Sequence, residues 1–186
     1  TRPEQILQTL PQAIQVMLDP ADCGPACISL SQDIQGETFE YPEEFFKERV
    51  HNIRRPRPDD FQIKEAAEKI KKSKNPIIIS GGGVFYSDAM EDLSNFAMKH
   101  NIPVTQTVMG YSTMKRDHSH FLGPIGGLGG KAANNFAKKT DLAIAVGTKL
   151  GDFTTGSWAN FENPNFSLVS VNVSRFDANK HMAQSV

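Results

Sequence analysis

The chain has 186 residues, 39% of them hydrophobic and 22% charged, with a formal net charge of -1. That balance gives no electrostatic footprint for nucleic acid or an anionic membrane, and no apolar stretch approaches the roughly 20 residues needed to span a bilayer. The length suits one well-buried domain, or one domain plus a piece of another. Cys23 and Cys27 make no disulfide framework. No secretory h-region opens the chain, so the expected compartment is the cytoplasm.

Residues 3–18 have helical periodicity through Ile6, Leu10, Ala13, Ile14, Met17 and Leu18. Pro11 falls inside that pattern and predicts a kink or two short helices. After Gly24-Pro25, the run Ala26-Cys27-Ile28-Ser29-Leu30 predicts a short buried strand. From Gly36 to Asp60 the composition shifts to Phe39, Tyr41, Phe45 and Phe46, then to Arg54-Arg55-Pro56-Arg57-Pro58. Prolines among arginines resist helix and central strand alike, so this segment reads as an extended linker. Asp59 or Asp60 is a candidate N-cap for a helix carrying Ile63, Ala66, Ala67 and Ile70, with lysines in its last turn.

An alternating pattern follows. Pro76-Ile77-Ile78-Ile79-Ser80 is an apolar strand that ends in Gly81-Gly82-Gly83 and leads to a helix reaching about His100. Next come a short strand at Ile102-Pro103-Val104-Thr105 and a glycine-rich loop from about Gly110 to Gly130. A helix with Ala132, Ala133, Phe136 and Ala137 precedes two more buried strands, Leu142 to Gly147 and Ser167 to Val173. Strands of this apolar kind separated by helices predict right-handed βαβ units on a parallel sheet. The chain opens on Thr1 and stops at Val186 soon after a strand, without a closing helix. Both ends therefore read as cuts in a longer polypeptide.

Gly81-Gly82-Gly83 stands where backbone amides can meet a pyrophosphate, or where helix and strand pack tightly. The dinucleotide fingerprint fails there, because Tyr86 takes the place of a small residue. Gly127-Leu128-Gly129-Gly130-Lys131-Ala132 matches that fingerprint, but Phe121 to Ile125 does not read as the strand it requires. The last strand ends in Asn172 rather than in a carboxylate for ribose hydroxyls. Gly151-Asp152-Phe153 departs from a Gly-Asp-Gly metal–diphosphate motif and reads as a loop. Asp117-His118-Ser119-His120 lacks further ligands at metal spacing and reads as a solvated loop. No nucleophile–base arrangement is visible, so no catalytic residue and no metal ligand is assigned.

Several of these segments converge. Pro76 to Gly83, Asn101 to Val104, Asp117-His118 with Leu122-Gly123, Ala132-Ala133-Asn134, Asp141 to Thr148 and Val171-Asn172-Val173 resemble the central domain of thiamine-diphosphate-dependent enzymes of the acetolactate-synthase type. The resemblance covers about residues 58–186 and implies a Rossmann-like three-layer α/β/α fold on a five- to six-stranded parallel sheet. Residues 1–35 are similar to the closing helix and strand of the preceding pyrimidine-binding domain, and 36–58 to the interdomain linker. A narrower set resembles the cyclic-dione hydrolases of inositol catabolism within that family. It comprises Thr1 to Gln5, Ser31 to Glu37, Phe45-Phe46 with Arg49 to Arg55, Asp152-Phe153 and Asn172 to Arg175. Ser31-Gln32 stands where most relatives carry a proline before Asp33.

The resemblance implies carbon–carbon hydrolysis in which thiamine diphosphate, held with Mg2+ by flanking domains of the same chain, supplies the electron sink. By itself this segment would be inactive. The family's active sites lie between subunits, implying a homo-oligomer. Some members hold FAD or ADP in the central domain. The matching positions are Gly81, Gly82, Gly83, Thr107, Val108, Gly123, Gly126, Gly147, Thr148, Asp152 and Asn172. Lys149 replaces a frequent arginine, Ile125 a histidine of the flavin users, and Asn172 an acid, which implies a vestigial cleft with a structural role. Two alternatives remain: a flavin-bearing acetolactate-type ligase or oxo-acid decarboxylase of the malonic semialdehyde type, and a free-standing nucleotide-binding module.

Overall fold

Contacts within the computed structural model divide the chain into two compact units that meet at Pro56/Arg57. The structure describes residues 2–186, so Thr1 of the Thr1–Gln5 motif lies outside the described residues.

In the first unit a 3-10 turn, Pro3–Gln5, leads into α1 (Ile6–Met17). The helix assignment runs through Pro11, so the two short helices offered as one of the two expected outcomes do not form. Proline removes its own amide from the ladder and crowds the carbonyl four residues back, and the bonds on either side carry the helix past it. The strand expected at Ala26 to Leu30 does not form; this stretch carries no helix or strand and is mostly exposed. A strand needs a partner ladder, and no strand of this unit lies beside it among the described residues. The Leu30 carbonyl instead accepts from Gln35 Nε2 at 3.1 Å. The aromatics that follow pack on one another: Tyr41 stands 5.0 Å from Phe39 and 5.9 Å from Phe45 between ring centroids. Residues 47–59 carry no helix or strand.

The second unit starts at α2 (Asp60–Lys72), capped by Asp59, whose carboxylate accepts from the Gln62 amide at 2.8 Å. Beyond it lie β1 (Pro76–Ser80), α3 (Gly82–Tyr86), α4 (Met90–His100), β2 (Val104–Gln106), β3 (Phe121–Pro124), α5 (Lys131–Ala137) and β4 (Leu142–Val146). The chain then forms α6 (Asp152–Thr155), β5 (Ser167–Val171), α7 (Arg175–Asn179) and β6 (Gln184–Ser185). The six strands are all parallel, in the order β3-β2-β1-β4-β5-β6. Two elements depart from the expectations. Phe121 to Pro124, read as loop, is the edge strand β3, where Pro124 loses no ladder bond it would need. A short helix and the two-residue strand β6 follow β5, where no closing helix was expected.

Alternate residues of the buried strands feed two cores. Ile78, Val104, Ile144 and Val169 pack with Ala66, Leu93 and Ala97, which places α2 and α4 on one face. Ile77, Ile79, Ala143 and Ala145 pack with Ala133 and Ala137 of α5 on the other. Burial on both faces is why β1 and β4 read as continuous apolar runs.

At the amino ends of β1 and β4 one carboxylate ties the turns together. Asp141 accepts from Ser73 Oγ, from the Lys74 amide at 2.8 Å and from the Asn75 amide at 3.0 Å. Partial burial pushes its carboxyl up, but the Ser73 hydroxyl and those two amides outweigh this and hold it below the usual 3.8. The folded protein therefore binds this proton less readily than the unfolded chain. The resulting stability is complete above pH 3.8 and is lost as pH falls through the folded value. Asp141→Ala should destabilise by about 1–3 kcal/mol. Urea titrations from pH 7 to pH 2.5 should show the variant losing less stability than the parent across the acid limb.

Near the carboxyl end of the unit His181 lies against Trp158, ring centroids 4.5 Å apart. Desolvation and then the Lys180 charge push its pKa below 6.5, against a pull upward from the Leu150 backbone. Any stability linked to this group is complete above pH 6.5 and declines as pH falls below it; the side chain is largely exposed, so that term is small. Trp158 is the single tryptophan, so its emission reports the contact directly. Quenching should set in as pH falls below 6.5, with its midpoint under that value, and His181→Gln should flatten the titration.

Candidate functional site

The carboxyl ends of the parallel strands gather every position that the sequence assigned to a nucleotide cleft. Gly81, Gly82 and Gly83 follow β1, and Thr107 and Val108 follow β2. Gly123 lies within β3, Gly126 just beyond it, Gly147 and Thr148 follow β4, and Asn172 follows β5. Asp152 begins the one-turn helix α6, capped by Gly151, so that segment is not the loop expected. Open parallel sheets bind ligands at such an edge, at the point where strand order reverses. Here that point lies between β1 and β4.

At the reversal the chain meets itself. The Gly81 amide donates to Val146 O at 2.8 Å and the Gly83 amide to Gly147 O at 2.9 Å, while the Gly147 amide donates to Val171 O at 2.8 Å. A Cβ on Gly81 would lie 2.3 Å from Gly147 O, and one on Gly83 2.6 Å from Gly147 Cα. Gly147 also has φ +59, a conformation that disfavours any side chain. These glycines are required by backbone approaching backbone.

The neighbouring turns are joined in the same way. The Thr107 amide donates to Ser80 O at 2.9 Å, and the Gly110 amide to Thr107 O at 3.0 Å. Ser80 Oγ donates to Thr105 O at 3.1 Å and is 2.7 Å from Thr113 Oγ1. The Gly127 amide donates to Phe153 O at 2.7 Å, and Asn134 spans Gly126 by bonds of 2.9 and 3.0 Å. Asn172, at the place of a ribose-holding acid, donates from Nδ2 to Thr148 O at 3.1 Å and accepts from the Ser174 amide at 3.0 Å. A strand does precede the Gly127–Ala132 fingerprint, since β3 forms, yet the Gly127, Gly129 and Gly130 amides already donate to carbonyls. Pyrophosphate recognition uses free helix-terminal amides; the Gly81, Gly83, Gly127, Gly129 and Gly130 amides are already paired.

Open volume lies to one side. A cleft of about 700 Å3 sits between the segments after β2 and β3, with Gln106, Tyr111, Arg116 and Leu128 among its lining residues. Thr107, Val108 and Gly123 of the sequence-assigned positions also line it, and Leu128 belongs to the Gly127–Ala132 fingerprint, but Gln106, Tyr111 and Arg116 were not singled out from sequence. Their signal was hidden because β3, which frames the cleft, carries a glycine and a proline.

The histidines of Asp117 to His120 are engaged locally. His118 Nε2 is 3.0 Å from Ser94 Oγ, its Nδ1 accepts from the His120 amide, and His120 Nε2 is 3.0 Å from Asn101 Oδ1. No group of three or more His, Cys, Asp or Glu could hold a metal ion among the described residues. No helix among them is long and apolar enough to cross a membrane.

A six-stranded parallel sheet with glycine turns at its order reversal, and helices on both faces, defines a Rossmann-like α/β domain. Residues 63–186 match the family described as thiamine pyrophosphate enzyme, central domain, and the chain belongs to that family. Two relatives carry the name 3D-(3,5/4)-trihydroxycyclohexane-1,2-dione hydrolase. The one from Clostridium perfringens strain 13 is 48% identical over 185 residues, covering 100% of this chain and 29% of its own length. The one from Clostridium botulinum strain Eklund 17B is 49% identical over 179 residues, 96% of this chain and 28% of its own. The chain thus spans less than a third of the curated relatives it matches. Benzoylformate decarboxylase from Polynucleobacter necessarius has a similar fold, with TM-score 0.71 and 22% identity over 94% of this chain and 32% of that one.

Gly83→Ala and Gly147→Ala should each destabilise by about 1–3 kcal/mol through overpacking and, at Gly147, positive φ. Gly130 has nothing within 4 Å of a built Cβ and no positive φ, so Gly130→Ala should change stability by less than about 1 kcal/mol. Equilibrium unfolding of the three variants measures the contrast; equal effects would mean that the close approach is not what selects glycine.

Proposed function

We propose that this chain is the central domain, preceded by a linker and the end of a pyrimidine-binding domain, of a thiamine-diphosphate-dependent hydrolase that opens trihydroxycyclohexane-1,2-dione. The observation that carries the reading is identity of 48% to the Clostridium perfringens hydrolase across the whole chain, including the residues before 63 that the family match leaves out. In this reading residues 1–35 close the preceding domain, 36–58 link, and 59–186 form the central domain. The reaction adds water across the bond between two adjacent ring carbonyls. Hydroxide ends on the carbon that becomes a carboxylate, and hydrogen on the carbon that becomes an aldehyde.

Thiamine diphosphate supplies the electron sink for such a cleavage. In this reading the cofactor and Mg2+ are held by flanking domains of the same chain, as the resemblance implies. What this chain's own residues do is hold shape. The paired amides and self-satisfied Asn172 support a vestigial nucleotide cleft whose present work is to space the catalytic domains. We place the protein in the cytoplasm, within inositol catabolism, as a homo-oligomer without nucleic-acid or membrane partners.

The full-length protein, supplied with thiamine diphosphate and Mg2+, should open the dione ring and leave pyruvate untouched in parallel assays. Pyruvate consumption with flavin absorbance would favour the acetolactate-type or decarboxylase reading instead, and would overturn the hydrolase.

A further inference from the structure

Exposed apolar side chains collect on one edge of the sheet. Tyr86, Val108, Met109, Tyr111, Leu128 and Phe153 are each 60–77% exposed, and every one lies in a segment that follows the carboxyl end of a strand. The turns at the amino ends, residues 73–75, 101–103, 138–141 and 162–166, carry no exposed large apolar side chain. The six are neighbours. A Cβ on Gly82 would stand 3.5 Å from Met109 Cβ and 3.6 Å from Tyr86 Cε2, and one on Gly127 would stand 3.8 Å from the Phe153 ring. Val108, Tyr111 and Leu128 line one cleft between these two positions. The same edge is poor in charge: residues 81–87, 107–114 and 121–130 contain no Asp, Glu, Lys or Arg, in a chain with 22% of them. Aromatic and methionine area without charge is the composition of an interface core, and monomers rarely leave such a patch to water.

The end of the sheet says what comes to this edge. β6 is parallel to β5, and the Val186 amide donates to Ser170 O at 2.8 Å while its carbonyl accepts from the Asn172 amide at 3.1 Å. Val186 therefore lies on the carboxyl edge itself. The chain spans 29% of the Clostridium perfringens relative, so a full-length polypeptide of that kind has most of its mass outside it. We propose that the apolar edge is the docking surface for the domain that follows Val186 in its own polypeptide. Such a domain starts on the edge it covers, so the tether holds it there at high effective concentration; a second copy has no tether. The inference rests on the reading above only in taking this chain as the middle of a longer enzyme.

Met109 reports the contact without substitution. In the full-length protein its oxidation by peroxide should run about tenfold slower than in the urea-unfolded chain. A thiol-linked benzophenone on Leu128→Cys should capture peptides from beyond Val186 of its own chain, read by mass spectrometry on mixed isotope-labelled and unlabelled protein. An unprotected Met109, capture of sequence ahead of this chain, or capture of a second copy would each overturn the proposal. Ring opening, assayed on the same preparation, separates the two readings. An active hydrolase with an unprotected Met109 sinks the docking alone; a protected, correctly captured edge in a protein that opens no ring upholds the docking and sinks the hydrolase.

Discussion

The approach of two backbones at the reversal of strand order is the constraint on which the second unit depends. Gly83 and Gly147 come so near that a single methyl on either would occupy the other's place. That closeness lets the turn after β1 donate directly to the end of β4. The remaining turns of the carboxyl edge are then joined in sequence, through Thr107 to Ser80 and Gly127 to Phe153. The opposite end of the same strand pair is tied by Asp141. β1 and β4 are thus fixed at both ends, and the helices pack against a sheet whose register cannot drift.

The same constraint decides where a ligand can go. In an open parallel sheet the reversal point is the expected pocket. Here carbonyls of this chain already engage the amides of Gly81 and Gly83, while the open volume lies one strand pair away, beside β3. A glycine-rich edge is compatible with two different kinds of work, receiving phosphates or admitting a neighbouring backbone. Sequence shows the glycines but not which partner comes close.

The legible parts of the fold were those where one physical signal dominated. Ile77 to Ile79 and Leu142 to Val146 are buried on both faces, so the apolar run and the strand coincide. An acidic N-cap candidate at Asp59 or Asp60 announced α2, and the structure selects Asp59, which makes a capping box with Gln62. β3 was hidden because an edge strand tolerates Gly123 and Pro124, which elsewhere end strands. The Ala26 to Leu30 segment failed in the other direction: its composition suits a strand, but a strand exists only beside another. At the candidate site, the resemblance supplied the glycine positions, and the βαβ pattern accounts for their grouping along one edge. Gln106 and Arg116 escaped notice, since a single amide and a single guanidinium have no spacing to betray them.

The order β3-β2-β1-β4-β5-β6 also shapes how the chain must be made. β1 pairs with β4, whose residues 142–146 come more than sixty positions later in the sequence. At roughly 5–20 residues per second, ribosomal synthesis leaves one edge of this isoleucine-rich strand bare for several seconds. Such a segment is a template for pairing with the wrong chain. Lys69, Lys71, Lys72 and Lys74 stand immediately upstream of it. Charged residues placed beside an unavoidable apolar strand oppose such pairing, and these four lysines hold that position for β1.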